Sequence, residues 1–150
     1  MTLTKEIKDS IDKSVLCWLA TASADNWPSV SPKEIFTCFG TDQLIIANIA
    51  SPQSVRNVRE NELVCVSFID ILVQKGYQLK GKARVIEKTD LEFLEMEKPL
   101  LEMTGGNFPF NSIIVISIES AKPIIAPRYM LYPETTQEEQ IESARKSYGL

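Results

Sequence analysis

The sequence predicts a mainly β domain with flanking helices, built as a largely antiparallel barrel that is closed or half-closed. Three observations carry this. Six apolar, strand-like runs stand within 150 residues. Most are joined by turns too short for the crossover that parallel neighbours require. Helix-like segments are inserted between some strands instead of following each one. An open α+β sheet is the alternative. A doubly wound parallel sheet is disfavoured, because the first three strands follow each other with no room for crossover helices. The length suits one domain, and there is no repeat, low-complexity stretch or linker.

Residues 3–14 read as a short amphipathic helix, with Leu3, Ile7 and Ile11 four apart and Thr4 as N-cap. The first strand is 15–22, ending in a turn around Ala24-Asp25-Asn26. The second is 29–38, and Pro32 inside it argues for an edge or a bulge, since proline cannot donate to a ladder. Gly40-Thr41-Asp42 turns into the third strand, 43–49, and a helix follows over 51–60. The fourth strand is 63–73. After the turn Gln74-Lys75-Gly76, the fifth alternates over 77–87, with Tyr77, Leu79, Gly81, Ala83 and Val85 on one face. Residues 89–103 are expected to be helical, capped by Thr89 or Asp90, with Leu91, Phe93 and Leu94 buried. Gly105-Gly106 stops that helix. The sixth strand, 111–118, is apolar enough to be internal. An extended, proline-punctuated stretch over 121–133 and a polar helix over 134–147 close the chain.

Composition removes several functions. With a net charge of −4 and a pI near 5.0, no long basic surface is available to neutralise a nucleic-acid backbone. No apolar run reaches the length of a membrane span. The first residues lack the apolar core of a signal peptide, so a cytoplasmic location is expected. Cys17, Cys38 and Cys65 are odd in number and lie in apolar runs, which fits buried thiols. There is no CxxC and no histidine, so no metal site is expected and no Ser-His-Asp or Cys-His nucleophile can form. Trp18 reads as core or interface, and Trp27 lies at a turn.

One stretch invites chemistry. "LIIANIASPQSVRNVREN" leaves the core through Asn48, Ser51-Pro52, Gln53, Ser54, Arg56 and Asn57. Ser51 before Pro52 suits an N-cap and a first helical residue. The free N–H groups and dipole of that end attract an anion, with Arg56 one turn in. Capping together with an Arg56–Glu60 surface pair would account for the same residues.

The order of these pieces resembles the flavin-binding split-barrel family, the relatives of pyridoxamine 5′-phosphate oxidase. The resemblance rests on "VLCWLATASADNWPSVSP", "LIIANIASPQSVRNVRENELVCVSF" and "YQLKGKARV", nearly half the chain. It implies a six-stranded antiparallel split β-barrel and a homodimer holding flavin mononucleotide (FMN) at the subunit interface. Carried over by position, Ser31, Pro32, Lys33 and Glu34 lie along the isoalloxazine and ribityl chain, with Ala47 and Asn48 alongside. The helix start, with Ser51, Gln53, Ser54, Arg56 and Asn57, takes the phosphate, and Gln74 and Lys75 match a region that reaches the flavin. Arg128, Tyr129 and Tyr132 fall in a late segment that often approaches it.

Gln53 and Ser54 replace the adjacent Arg-Lys pair of the oxidases, which leaves Arg56 and Lys33 to supply the charge. The resemblance implies an FMN-dependent oxidoreductase of unknown substrate and names no catalytic residue. A flavin binder without turnover, or a barrel that has lost its flavin, are the alternatives. The ending "RYMLYPETTQEEQIESARKSYGL" has no counterpart of the oxidases' substrate-binding terminus. Haem is disfavoured without histidine.

Overall fold

Glu34 and Ile35 interrupt what the sequence reads as one strand. In a computed structural model, which describes residues 1–150, the chain forms β2 (Pro28–Lys33) before them and β3 (Phe36–Phe39) after them. The sheet therefore has seven strands where six were expected. The others are β1 (Cys17–Ala22), β4 (Gln43–Ala47), β5 (Leu63–Asp70), β6 (Lys75–Glu87) and β7 (Ser112–Ile125). All pairings are antiparallel, in the order β2-β1-β5-β6-β7-β4-β3. Pro32 thus sits on an edge strand, where its missing N–H costs nothing.

The two edges, β2 and β3, share no ladder, yet only two residues separate them. Three residue steps span at most about 11 Å. The sheet must therefore curl until its edges stand side by side at that end. Hydrogen bonding leaves it open along this seam, a barrel split on one side.

Two cores follow from this curl. Leu19, Val66, Leu79, Leu44, Ile46, Ile114 and Ile116 fill the interior, closed by Leu3 and by Ile7 and Ile11 of α1 (Lys5–Lys13). Thr4 caps α1 as expected, accepting the Ile7 N–H at 3.3 Å. On the outer face, Ile45, Ala47, Ile113 and Val115 lie under Phe93, Met96 and Leu100 of α3 (Phe93–Thr104). Burial on both faces explains why β4 and the start of β7 read as continuous apolar runs.

Several boundaries differ from the sequence reading. Leu91 and Leu94 are 99% and 76% exposed, because the buried face of α3 follows Phe93, Met96 and Leu100 at three- and four-residue spacing. Neither Thr89 nor Asp90 caps it; the Asp90 carboxylate accepts the Glu87 N–H at 2.7 Å. β7 runs seven residues past Ile118, still paired to β6, so the segment expected as merely extended begins as strand. It then forms α4 (Pro127–Leu131), and α5 (Gln137–Tyr148) ends the chain. Trp18 is half-exposed and not core. Cys17 is buried and Cys38 and Cys65 are half-buried, all as free thiols. No helix is long and apolar enough to cross a membrane.

Candidate functional site

The seam between β2 and β3 opens into a cavity of about 260 Å³ beside the start of α2 (Pro52–Glu60). Pro32 and Lys33 line it from the end of β2, Glu34 from the two-residue link to β3, Ala47 from the end of β4, and Ser51 from the approach to α2. Ile35, Ile49 and Phe108 complete the wall. The structure therefore brings together five of the residues singled out in the sequence.

Lys33 is the unusual member. It pairs with Cys17 across the β1–β2 ladder, is 5% exposed, and its Nζ meets no acceptor. Burial lowers its amine from the ordinary 10.5, against a smaller opposing pull from Cys17. Burial also pushes the Cys17 thiol up to about 12. A buried polar group without a partner is costly, more so when charged, and packing gives no return for it. Ser29, Ser31 and Lys33 alternate along the inner side of β2, opposite Thr21, Leu19 and Cys17.

At the start of α2, Ser51 has φ −126° and ψ 64°, and its hydroxyl caps nothing. The expected serine cap is absent because the backbone has left the extended range from which that side chain reaches the first turn. Pro52 has no N–H, and those of Gln53 and Ser54 take no acceptor within the chain. The helix end thus keeps free donors and a positive dipole end. The expected Arg56–Glu60 pair is also absent. Arg56 donates to Gln53 Oε1 at 3.2 Å, and Arg59 pairs with Glu87 at 2.8 Å. Gln53 Nε2 donates to Asn57 Oδ1 at 2.7 Å, and Asn57 Nδ2 to Thr21 Oγ1 at 3.0 Å. Ser54 and Asn57 are buried.

Other expected residues lie apart. Asn48 donates to Ser112 Oγ at 2.9 Å, leaves its buried Oδ1 without a donor, and lines a second cavity of about 430 Å³ with Pro52, Arg56 and Arg59. Lys75 lines a third, about 500 Å³, together with Glu6, Asp9 and Lys13 of α1. Gln74 has φ +59° in the β5–β6 turn and accepts the Ala126 N–H at 3.0 Å. Lys75 Nζ stands 4.4 Å above the Tyr129 ring, and the Tyr129 hydroxyl donates to the Val73 carbonyl at 2.7 Å. Neither Gln74 nor Lys75 lines the Lys33 cavity in the single chain.

Thr21, Phe108 and Ile49 were missed. The alternation of "CWLATA" places Thr21 inward with Cys17 and Leu19, a signal available in the sequence; Phe108 had none. An unpartnered amine, free helix N–H groups and an exposed guanidinium together suit an anionic ligand with an apolar body. The Lys33 cavity falls below the roughly 300–1,000 Å³ of a typical small-molecule site. No group of three or more His, Cys, Asp or Glu stands placed to hold a metal.

The sequence model of the pyridoxamine 5′-phosphate oxidase family matches residues 3–136. The chain belongs to that family. Solved structures share the fold. A putative pyridoxamine 5′-phosphate oxidase from Lactobacillus delbrueckii is 24% identical with a TM-score of 0.66, covering 81% of this chain and 93% of its own. An FMN-binding protein from Syntrophomonas wolfei is 16% identical with a TM-score of 0.65, covering 79% and 86%. The haem storage protein HutZ of Vibrio cholerae is 17% identical with a TM-score of 0.67, covering 83% and 96%. No curated protein matches the chain in sequence. At these identities the likeness establishes the family's architecture, and the site must be argued from its own residues.

Proposed function

We propose that two copies of this chain bind FMN between them and act as a small flavin-dependent oxidoreductase. The observation that carries this is Lys33, a residue lining the cavity whose buried Nζ has no acceptor. An isoalloxazine carbonyl or ring nitrogen would satisfy it. Pro32, Glu34 and Ala47 would line the same ring, and Ser31 lies one turn of the alternation away on the inner side of β2. The phosphate, carrying roughly −1.5 to −2 charges as phosphomonoesters do, suits the free N–H groups of Gln53 and Ser54 with Arg56 beside them.

Bound flavin supplies hydride and electron transfer, and the protein supplies position and charge. Lys33, protonated against the ring, would favour the reduced anionic form. A dimer accounts for two further features. The outward side of the β1–β2–β5 region carries Trp18, Val30 and Leu63 at 48%, 62% and 60% exposure. It also gives Gln74 and Lys75 a route to a flavin that the single chain does not.

The test is direct. Titration of the purified protein should quench flavin fluorescence at one FMN per chain, and the colour should survive gel filtration. Protein that stays colourless after incubation with FMN would overturn the reading. Gln53 and Ser54 in place of the Arg-Lys pair favour a second reading, a flavin binder without turnover. Oxidation of reduced nicotinamide with an added electron acceptor separates the two. Haem has no histidine to bind it in this chain.

A further inference from the structure

The N-terminal turn of α2 is tied to β1 by side chains alone, through donors that all run one way. Arg56 donates to Gln53, Gln53 to Asn57, and Asn57 to Thr21. Asn57 is fully buried and Thr21 is 5% exposed, while Gln53 and Arg56 are exposed. Packing does not require this chain, since Val55 and Val58 already seat the helix on the barrel. Its effect is on orientation. The Thr21 hydroxyl accepts one amide hydrogen of Asn57, which turns the Asn57 carbonyl towards Gln53. That carbonyl holds the Gln53 amide, which turns its own oxygen outward to Arg56. One N–H of the guanidinium is used, and the rest of its five-donor fork stays free. The fork is thereby held on the same turn as the free N–H groups of Gln53 and Ser54.

We propose that Thr21 and Asn57 are positioning residues that, through Gln53, fix Arg56 to recognise the phosphate of a flavin nucleotide. A single oriented guanidinium then stands in for the basic pair that the chain lacks at 53 and 54. The idea rests on the FMN reading but makes a separate claim, that phosphate selectivity originates in a β1 hydroxyl that touches no ligand.

The measurement is the ratio of riboflavin to FMN dissociation constants, by fluorescence quenching. Riboflavin presents the same ring and chain without the phosphate. Thr21→Val keeps shape and removes the acceptor; Thr21→Ser keeps the acceptor. Gln53→Leu cuts the relay at an exposed position, so it decides the matter if Thr21→Val does not fold. The wild type should prefer FMN. Thr21→Val and Gln53→Leu should reduce that preference by roughly three- to tenfold with riboflavin affinity unchanged, and Thr21→Ser should restore it. Equal loss of both flavins, or an unchanged ratio, overturns the relay. A wild type that binds both flavins equally overturns it too and leaves the FMN reading standing. A wild type that binds neither ends both.

Discussion

Lys33 and Cys17 stand opposite one another on the inner face of the β1–β2 ladder, and no carboxylate or carbonyl reaches the lysine amine. The fold has placed a cation-forming group where its own atoms cannot satisfy it. That arrangement is unfavourable for the empty protein and useful only when something else occupies the cavity.

Replacing the amine should therefore stabilise the empty protein. Lys33→Met is expected to gain roughly 1–3 kcal/mol in urea denaturation, the cost of an unsatisfied buried group. The same variant should lose FMN affinity. A variant less stable than wild type would show that Lys33 has a partner.

The pH dependence carries a sign. The folded chain holds the Lys33 proton less tightly than the unfolded one, whose amine titrates near 10.5. Stability therefore rises with pH from the lowered value up to 10.5. Cys17 acts oppositely: its stabilisation is present below 9.0 and is lost as pH climbs towards about 12. Between its lowered value and 10.5 the lysine makes wild-type stability climb with pH, and Lys33→Met should remove that contribution. Identical slopes in denaturation series at several pH values would refute the assignment.

Arg56 and Arg59 share one helix and differ in their partners. Arg59 is already engaged by Glu87 at 2.8 Å, an exposed pair. Arg59→Glu should cost stability of no more than about 1 kcal/mol and leave flavin binding nearly intact. Arg56→Glu should weaken FMN at least about tenfold, since it removes a cation and places a like charge beside the phosphate; 1.4 kcal/mol suffices for that. Riboflavin affinity should stay within about twofold in both. Equal effects of the two substitutions on FMN would remove Arg56 from the phosphate site.

How much of this was legible is best judged at four places. In the cluster Pro32, Lys33, Glu34, Ala47 and Ser51, only the Ser-Pro helix start is a local signal; the strand residues came from the family resemblance, carried over by position. The split of one strand into β2 and β3 was not. Phe36 pairs with Ile46 instead of continuing along β1, and that choice depends on how the whole sheet curls. α3 was placed correctly but turned wrongly, because Leu91, Phe93 and Leu94 suit a buried face equally well by composition. Only the outer wall of β4 and β7 decides between them. The Ser51 cap failed for a related reason: residue type predicts a cap, but the backbone angles that deliver it are set by the barrel rim.

Gly81 offers a test of the barrel itself. It lies where the β6–β7 register shifts, and an added Cβ would run into the Ser117 carbonyl oxygen. Gly40 has open space around it but a φ of +61°. Gly40→Ala should cost about 1–2 kcal/mol from the left-handed backbone alone. Gly81→Ala must move a paired strand and should cost more, about 3 kcal/mol or above. Urea midpoints rank the two, and the reverse order would mean that β6 and β7 do not approach so closely.

The outward face of β1 and β2 tests the proposed dimer. Trp18 and Val30 project from neighbouring strands, 48% and 62% exposed, close in the ladder through the Trp18–Pro32 and Ala20–Val30 pairings. Neither supports the core, so charge there should leave the barrel folded. Trp18→Glu and Val30→Glu should each shift the protein from two chains to one by light scattering, because a buried unpaired carboxylate at an interface is strongly unfavourable. If the flavin lies between copies, FMN affinity should fall with the dimer and return at protein concentrations that restore it. FMN binding that persists unchanged in a proven monomer would place the whole site within one chain, and the cavity beside Lys33 would then have to hold the ring unaided.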